Sequence, residues 1–387
     1  MLKTITDKVF SGERITGEDA VTLFNCDDIF TLGRLASHVA EKKNGKKAFF
    51  VMNRHINPTN ICVNRCKFCA FSRSKGEEGA FELTIAEIIK KLRTPNSELR
   101  TPFREVHIVG GLHPDWPFER YCSMLSEIKK AFPSIAIKAF TAVEIDYFSR
   151  ISGLTVREVL ERLKRSGLQA MPGGGAEIFA EEVRKKLCPE KISGKRWLEI
   201  HKEAHLCGIP TNATMLYGHL ESYEDRVDHL LRLRQLQDIT GGFQAFIPLA
   251  YHPENTELAR IEQQSSRAAE QGRDRTSSPL KNYCATALLR YGSSGIDDLK
   301  TIAVSRLVLD NIPHIKAYWI MLGEKIAQVS LLFGADDLDG TIVEEKITHS
   351  AGAMSSEGLT RKELVLLIKK AGKVPVERDA FYNAVRG

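Results

Sequence analysis

The stretch NPTNICVNRCKFCAF, residues 57–71, places three cysteines within eight positions. They are Cys62, Cys66 and Cys69, in the spacing C-x₃-C-x₂-C, whereas the other five cysteines of the chain are isolated. The proline and asparagines around them are typical of a loop that leaves a strand and can wrap around a bound group. The stretch therefore predicts a metal or cluster site at the end of a strand, in an α/β fold that can be predicted outward from this loop.

Three interpretations of the triplet differ in the number of ligands they need. If the three thiols were a chance group of buried residues, nothing would explain their short spacing. A zinc site takes four ligands, and a strand and a proline separate the nearest fourth candidate, His55, from the cysteines. An iron–sulfur cube normally takes four thiolates, so three of them leave one iron open to a small molecule. We favour the cube, with the open iron as its reactive position.

The composition is that of an ordinary globular protein, with 387 residues, 43% hydrophobic and 27% charged. The net charge of +6 is spread over helical segments in which basic and acidic residues alternate, so solvated helix faces explain it better than a nucleic-acid surface. No apolar run has the length of a signal peptide or a membrane span, so we expect a cytoplasmic protein. In that reducing compartment we interpret the isolated cysteines as structural thiols: Cys26, Cys122, Cys188, Cys207 and Cys284.

Short apolar runs alternate with helical patterns from residue 48 onward, and residues 1–47 have the apolar spacing of helices. The runs are rich in Val, Ile and Phe, as buried parallel strands are. We predict eight strands: AFFVMN (48–53), EVHIVG (105–110), IAIKAF (135–140), GLQAM (167–171), TNATMLY (211–217), FQAFIPL (243–249), IKAYWIM (315–321) and VSLLF (329–333). This order predicts a (β/α)₈ TIM-type barrel with an N-terminal helical extension and an active site at the carboxyl ends of the strands.

The barrel prediction divides the chain into four segments. Residues 1–47 form the helical extension, and residues 48–258 form the core of the barrel with the cysteine loop. Residues 259–295 are rich in Ser, Arg and Gln and have little apolar periodicity, so we interpret them as an inserted loop. Residues 296–387 form the last part of the barrel and its closing helices. Capping-box pairs predict two helix starts, at Thr84 with Glu87 and at Thr360 with Glu363.

An aromatic residue, Phe68, stands directly before the last cysteine of the triplet. The pattern C-x₃-C-x-Φ-C is the signature of the radical S-adenosylmethionine (SAM) enzymes, which this chain resembles. The resemblance implies a [4Fe–4S] cluster held by Cys62, Cys66 and Cys69, with SAM bound at the open iron. It also implies a flavodoxin- or ferredoxin-type reductant, whose electron cleaves SAM to methionine and a 5′-deoxyadenosyl radical.

Two further segments resemble SAM-binding elements of these enzymes, and a third is rich in glycine. VGGLHP (109–114) resembles the segment whose backbone binds the methionine amino group, and MPGGGAE (171–177) is a glycine turn after the fourth strand. ATMLYGHLE (213–221) resembles the adenine-binding element, although Thr214 stands where a glycine is usual. We therefore expect these cofactor-binding residues: Phe68, Gly110, Gly111, Gly174, Gly218 and Glu221. Leu216 belongs to the same adenine-binding element as Gly218 and Glu221.

Longer stretches resemble the aminofutalosine synthase family of the futalosine route to menaquinone, among them NRHINPTNICVNRCKFCAF (53–71) and AFTAVEIDYF (139–148). The similarity extends over nearly the whole chain and fails between about 262 and 294, where the family has a short connection. It implies a transferase that adds the 5′-deoxyadenosyl group of SAM to 3-[(1-carboxyvinyl)oxy]benzoate. Rearrangement and loss of carbon dioxide then give aminodeoxyfutalosine.

The two carboxylates of such a substrate require charged hydrogen-bond donors. The candidates near strand ends are Arg54, His55, His113, His252, Arg306 and His349, of which we rank His55 first and Arg306 next. Two other activities share the cysteine loop, those of dehypoxanthine futalosine cyclase and of the deazaflavin (F0) synthase subunit that acts on tyrosine. A cluster-carrying electron-transfer protein is the alternative without catalysis, and it would not cleave SAM.

Overall fold

The computed structural model of the chain describes residues 2–93, 103–261, 293–342, 345–356 and 358–385. Its helices are α1 (Leu2–Ser11), α2 (Gly17–Phe24), α3 (Ile29–Asn44), α4 (Ile85–Arg93), α5 (Phe118–Ala131), α6 (Ala142–Ser152), α7 (Val156–Arg165), α8 (Glu181–Leu187), α9 (Gly194–Leu206), α10 (Tyr223–Thr240), α11 (Gly295–Val308), α12 (Trp319–Ser330), α13 (Ile347–Ser350) and α14 (Arg361–Lys370). Its strands are β1 (Lys47–Val51), β2 (Asn53–Ile56), β3 (Glu105–Ile108), β4 (Ala136–Ala139), β5 (Thr211–Tyr217), β6 (Phe243–Ala250), β7 (His314–Ile315), β8 (Asp337–Gly340) and β9 (Val374–Arg378).

The strands close into a parallel barrel. β1 and β2 are two halves of the first barrel strand, of which β1 pairs with β8 and β2 pairs with β3. β3 pairs with β4, β5 with β6 and β6 with β7, all in parallel. Single parallel bridges complete the ring: Lys138 to Ala170, Met171 to Thr211, and Lys316 to Asp337. The predicted (β/α)₈ barrel is therefore confirmed.

The eighth strand is not the predicted one. Residues 329–333 belong to the end of α12 and the turn after it, whereas the eighth strand has the sequence DLDG. Its Asp337 accepts a hydrogen bond from Arg378 Nε at 2.7 Å, and its Asp339 accepts one from Lys316 Nζ at 2.9 Å. Because cationic partners rather than apolar contacts accompany the burial of this strand, an apolar run does not mark it.

Two other strand predictions also need correction. The predicted seventh strand, 315–321, is extended only at β7, and α12 begins at Trp319. A further strand, β9, was not predicted and pairs in parallel with β1, from Lys47 opposite Val374 to Val51 opposite Arg378. The barrel's first strand therefore has neighbours from the end of the chain on both sides.

The N-terminal helices pack on the outside of the barrel. α3 packs against α11, and α2 packs against both α10 and α11. Arg14, between α1 and α2, binds Asp238 on α10 at 2.7 Å and Asp310 after α11 at 2.8 Å. Most of the predicted insertion at 259–295, including Cys284, lies outside the described residues. Within the described parts of the chain, no helix combines the length and apolarity that crossing a membrane requires.

Both predicted capping boxes are present. Glu87 N donates to Thr84 Oγ1 and Thr84 N donates to the Glu87 carboxylate. Thr360 and Glu363 exchange the same pair of hydrogen bonds at the start of α14. These local signals were readable from sequence because each involves two residues within one turn.

Candidate active site

A cavity of about 310 Å³ lies at the carboxyl ends of the strands and extends into the barrel. All three cysteines of the predicted cluster loop line it, as does Phe68, and none of them forms a disulfide. Gly110 and Gly111 line it from the segment after β3, and Gly174 lines it from the glycine turn. The structure therefore brings together residues that lie more than a hundred positions apart in the sequence.

Hydrogen bonds to three other parts of the chain hold the cysteine loop. Val63 N donates to Leu112 O and Lys67 N donates to Leu187 O, both at 3.0 Å. Asn60 Nδ2 donates to Gly79 O at 2.9 Å, and its Oδ1 accepts from Phe81 N at 2.8 Å. Because the protein itself supplies these contacts, it positions the thiols around the cavity.

The three thiols fit a cluster better than a single metal ion. In the described parts of the chain, no three His, Cys, Asp or Glu side chains converge in a way that would hold one ion. The thiolates of a cube bind three different irons, so they need not converge on one atom, and Cys62, Cys66 and Cys69 all line this cavity. Burial raises the pKa of Cys62 and of Cys66, and iron would displace the thiol protons on binding.

The glycine pair after β3 lies directly against the cysteine loop. Gly111 N donates to Thr59 O at 2.9 Å, and a Cβ atom at Gly111 would lie 2.2 Å from Ile61 O. Only a residue without a side chain permits this approach. Gly111 therefore has an observed packing role next to Cys62, in addition to any contact with SAM.

Glu144 is a buried carboxylic acid beside the same glycine pair, and the sequence analysis missed it. Its carboxylate accepts from Thr141 N at 2.7 Å and from Thr141 Oγ1 at 2.9 Å, and it lies 3.4 Å from Gly110 N. Burial raises the pKa of Glu144 to about 7. In sequence, Thr141 and Glu144 form an ordinary capping box, which gives no sign that this carboxyl group also faces a cavity.

The glycine turn and the element after β5 are tied together at the cavity wall. Thr214, which stands in place of the usual glycine, lines the cavity and donates from Oγ1 to Gly173 O at 2.6 Å. The carbonyl oxygen of Gly174 accepts from Trp197 Nε1 at 3.2 Å. Leu216 also lines the cavity. The threonine is therefore accommodated through a hydrogen bond between neighbouring strand ends.

Gly218 and Glu221 lie behind this wall, and neither is among the described residues that line the cavity. The Glu221 side chain is fully buried, accepts from Gly218 N at 2.6 Å and from His219 N at 2.9 Å, and pairs with Arg226 at 2.8 Å. The observed role of Glu221 is therefore to close the turn that follows β5. A direct contact of Glu221 with SAM stays a prediction.

Glu221→Gln is expected to lower the free energy of unfolding by about 3 kcal/mol near neutral pH, because it removes one partner of a buried ion pair. Burial opposes ionisation of Glu221, but its interactions with His219, with the charged Arg226 and with the Gly218 N–H outweigh it and hold its pKa far below the usual range. This stabilisation is therefore present above the unfolded-state pKa of about 4.3 and is lost as the pH falls further.

Urea denaturation of wild type and variant, near neutral pH and below about pH 4, measures this effect. The difference between the two proteins should shrink at the lower pH. Glu199→Gln, on the exposed face of α9, is the matched control and should leave stability unchanged. Equal stability of wild type and Glu221→Gln near neutral pH would show that the buried network contributes nothing.

The inner part of the cavity is lined by charged and polar residues. Lys138 Nζ binds Glu105 at 2.8 Å and Lys316 Nζ binds Asp339 at 2.9 Å, and all four side chains are buried. TIM-type barrels usually fill this interior with branched apolar residues, and burying ion pairs is costly. We call this group the polar belt, and it consists of His55, Glu105, His107, Lys138, Asn212, Lys316 and Asp339.

The candidates for substrate binding do not all reach the cavity. Among the described residues that line it are His55 and His252, the latter with Nε2 2.9 Å from Met321 O. Arg54 is buried on the same strand as His55, and strand alternation directs it to the other face. His113 stacks on Trp116 with ring centroids 4.6 Å apart. His349 is held by Glu345, whose hydrogen bond raises the pKa of His349 to about 9.

Arg306 is at the wrong end of the barrel for a substrate contact. It lies on α11, fully buried, and donates to Gly334 O at 2.8 Å and to Asp336 Oδ1 at 2.7 Å. Asp336 directly precedes β8, so the guanidinium group is at the amino ends of the strands. The prediction put Arg306 at the carboxyl ends of the strands with the cysteines, whereas the structure has it at the opposite end.

Two family models match the chain. One is described as the radical SAM superfamily and matches residues 56–233, and the other is described as the CofH/MqnC C-terminal region and matches residues 287–386. Among solved structures, the chain is similar to methylornithine synthase, with a TM-score of 0.69, 18% identity and coverage of 96% of this chain and 97% of that one. It is also similar to an FeFe-hydrogenase maturase from Carboxydothermus hydrogenoformans, with a TM-score of 0.70, 17% identity and coverage of 98% and 80%. At these identities the two structures show the fold alone.

Curated relatives are similar over almost the whole chain. An aminodeoxyfutalosine synthase of Thermus thermophilus is 47% identical over 99% of this chain and 95% of its own length. One of Streptomyces coelicolor is 43% identical over 99% and 94%. A 5-amino-6-(D-ribitylamino)uracil–L-tyrosine 4-hydroxyphenyl transferase of Methanopyrus kandleri is 40% identical over 93% and 90%.

Proposed function

The chain belongs to the radical SAM superfamily and, within it, to the aminodeoxyfutalosine synthase family, and we propose that it joins the 5′-deoxyadenosyl group of SAM to 3-[(1-carboxyvinyl)oxy]benzoate to form aminodeoxyfutalosine. The observation that supports this most directly is the cavity, which has three thiols at its mouth and the polar belt farther inside the barrel. SAM and a polar second substrate can therefore meet inside one enclosed space.

Cys62, Cys66 and Cys69 would hold the cluster at the cavity mouth. When bound there, a [4Fe–4S] cluster supplies the electron, received from a flavodoxin- or ferredoxin-type reductant, that cleaves SAM to methionine and the 5′-deoxyadenosyl radical. Gly110, Gly111 and Gly174 line the cavity, and their backbone would contact SAM there. The protein's own contribution is to bind and orient the two substrates.

The apolar part of the cavity wall protects the radical. Val109, Val143, Ile247 and Leu249 line the cavity. Such a wall keeps out water, and the radical adds to the enolpyruvyl double bond because the cavity holds that bond next to it. The carboxylates of the substrate then require polar partners. Of the two predicted candidates that line the cavity, His55 and His252, we favour His55 because it lies in the polar belt.

His55→Ala is expected to separate formation of the radical from its use. Loss of one charge-assisted hydrogen bond to the substrate costs roughly 1.5–3 kcal/mol, or on the order of ten- to a hundred-fold in product formation. Iron content and SAM cleavage should stay near wild type, and the ratio of free 5′-deoxyadenosine to aminodeoxyfutalosine should rise. Mass spectrometry of both compounds measures this ratio. His38→Ala, on the outer helix α3, is the matched control, and a wild-type ratio in His55→Ala would refute the role.

The function itself is tested by supplying the reconstituted enzyme, SAM and dithionite with one of two substrate sets under anaerobic conditions. One set is the enolpyruvyl benzoate, and the other is L-tyrosine with 5-amino-6-(D-ribitylamino)uracil. We expect a coupled product only from the first. A product only from the second would assign the chain the activity named for its Methanopyrus relative. If SAM is not cleaved, the remaining assignment is a cluster-carrying electron-transfer protein.

A further inference from the structure

Two histidines stand side by side in the polar belt. His55 on β2 is directly opposite His107 on β3 in the parallel register, and their ring centroids are 4.5 Å apart. Both line the cavity. His55 is 5% exposed, and its Nε2 has no hydrogen-bond partner among the described residues. A buried polar atom without a partner is unfavourable, so this atom indicates a place where a ligand completes the hydrogen bonding.

The lysines of the polar belt are already occupied. Lys138 binds Glu105 and Lys316 binds Asp339, so the two positive charges and the two negative charges balance. Glu345 adds a third negative charge, which His349 offsets, because their hydrogen bond raises the pKa of His349 to about 9. The ionisable groups that face the two rings are, together, Glu105 from β3, Lys138 from β4, Lys316 after β7, Asp339 from β8 and Glu345 beyond it.

A ligand carboxylate would add one more negative charge to this balanced set. Arginine and lysine cannot answer it by gaining a proton, because both are already charged, whereas a neutral imidazole can. Two adjacent imidazoles can also share one proton between them, each donating one N–H to the same carboxylate. The pair is therefore suited to bind an anion that arrives together with a proton.

We propose that the His55–His107 pair binds one carboxylate of the second substrate and takes up a proton as it does so. The identity of the ligand as a dicarboxylate rests on the proposed function, but the site rests on the geometry of the pair. His107 thereby becomes a residue that determines specificity for an acid.

The direction of the pH dependence follows from the surroundings of the pair. Burial lowers the pKa of His55, and burial with the neighbouring His55 lowers that of His107. Both rings are therefore neutral near neutral pH in the free enzyme. A bound carboxylate raises the pKa of the pair, so between the free and bound pKa values binding takes up a proton and becomes tighter as the pH falls.

Calorimetry on the anaerobically reconstituted holoenzyme tests this. The probe is 3-(carboxymethoxy)benzoate, a dicarboxylate that lacks the reactive double bond. Titrations near neutral pH in phosphate and in Tris, which differ in ionisation enthalpy, give the number of protons taken up. We expect about one proton per probe for wild type. The variant His55→Gln/His107→Gln keeps polar side chains that cannot be protonated, so it should take up none and bind on the order of tenfold more weakly.

Single variants His55→Gln and His107→Gln are titrated as well, so that the test does not depend on one protein. His38→Gln is the matched control and should behave as wild type. Binding of the probe by wild type without proton uptake, no binding at all, or unchanged uptake in a folded, cluster-loaded double variant would each overturn the proposal. Proton uptake by an enzyme that forms no aminodeoxyfutalosine would support the carboxylate site and refute the proposed function instead.

Discussion

Cys62→Ala, Cys66→Ala and Cys69→Ala, made one at a time, are each expected to abolish SAM cleavage and aminodeoxyfutalosine formation. The wild-type protein reconstituted under anaerobic conditions should bind about four irons per chain. Two thiolates cannot hold a cube with one defined open iron, so each variant should lose most of its iron and the associated visible absorbance. The three side chains line one cavity, and no other described cysteine shares that wall.

The matched control for this set is Cys122→Ala. Cys122 is partly buried on α5, outside the cysteine loop. Its replacement should leave iron content and turnover near wild type, whereas loss of iron there would point to a different ligand set. Iron analysis and product assays are made on the same preparations. If any one of the three cysteine variants kept full turnover, the cluster could not be assigned to this loop.

Gly111→Ala is expected to reduce turnover by on the order of a hundred-fold or more, because misplacing a reactive group by about 1 Å has that effect. The added Cβ would lie 2.2 Å from Ile61 O and 2.6 Å from Ile61 C. These are backbone atoms, so the loop itself must move, and Cys62 is the next residue. The substitution removes no ligand and changes no charge, so its effect arises only from displacement of the loop.

The readouts for Gly111→Ala are iron content, the electron paramagnetic resonance spectrum of the reduced protein, and turnover. We expect a lower iron content or an altered spectrum together with the loss of turnover. Gly17→Ala is the control, because its Cβ would meet side-chain atoms and no backbone, Leu231 Cδ1 at 3.2 Å and Val227 Cγ1 at 3.7 Å. Wild-type iron content, spectrum and turnover in Gly111→Ala would show that the cysteine loop keeps its position when residue 111 has a side chain.

The sequence alone was sufficient to predict those features whose determining residues are close together along the chain. The cysteine triplet occupies one short loop, and the capping boxes at Thr84 and Thr360 involve pairs within one turn. The apolar runs identified seven of the eight barrel strands. The apolar run at 329–333 was misassigned because helix α12 ends there, while the true eighth strand carries two buried aspartates whose cationic partners are distant in sequence.

The inner part of the site could not be predicted for a related physical reason. Its residues are single polar side chains on different strands, such as Lys138 on β4 and His107 on β3, and each has apolar neighbours in sequence. Their common location is a property of barrel closure, which brings equivalent strand positions to one level. Arg306 shows the converse case. It is a charged residue close to a strand, but its ion pair with Asp336 holds it at the end of the barrel opposite the cysteines.

The pairing of β1 also sets an order in which the chain can fold. β1 hydrogen-bonds to β8 on one side and to β9 on the other, so during synthesis it has neither neighbour until residues 337–378 have been made. Contacts of such long sequence separation form late and slowly. Until then the chain presents an unpaired apolar edge, KAFFV, ahead of the cysteine loop. The barrel beneath the cluster loop can therefore close only after the last strands have been made, so synthesis through residue 378 is a condition for a closed cavity around the bound cluster.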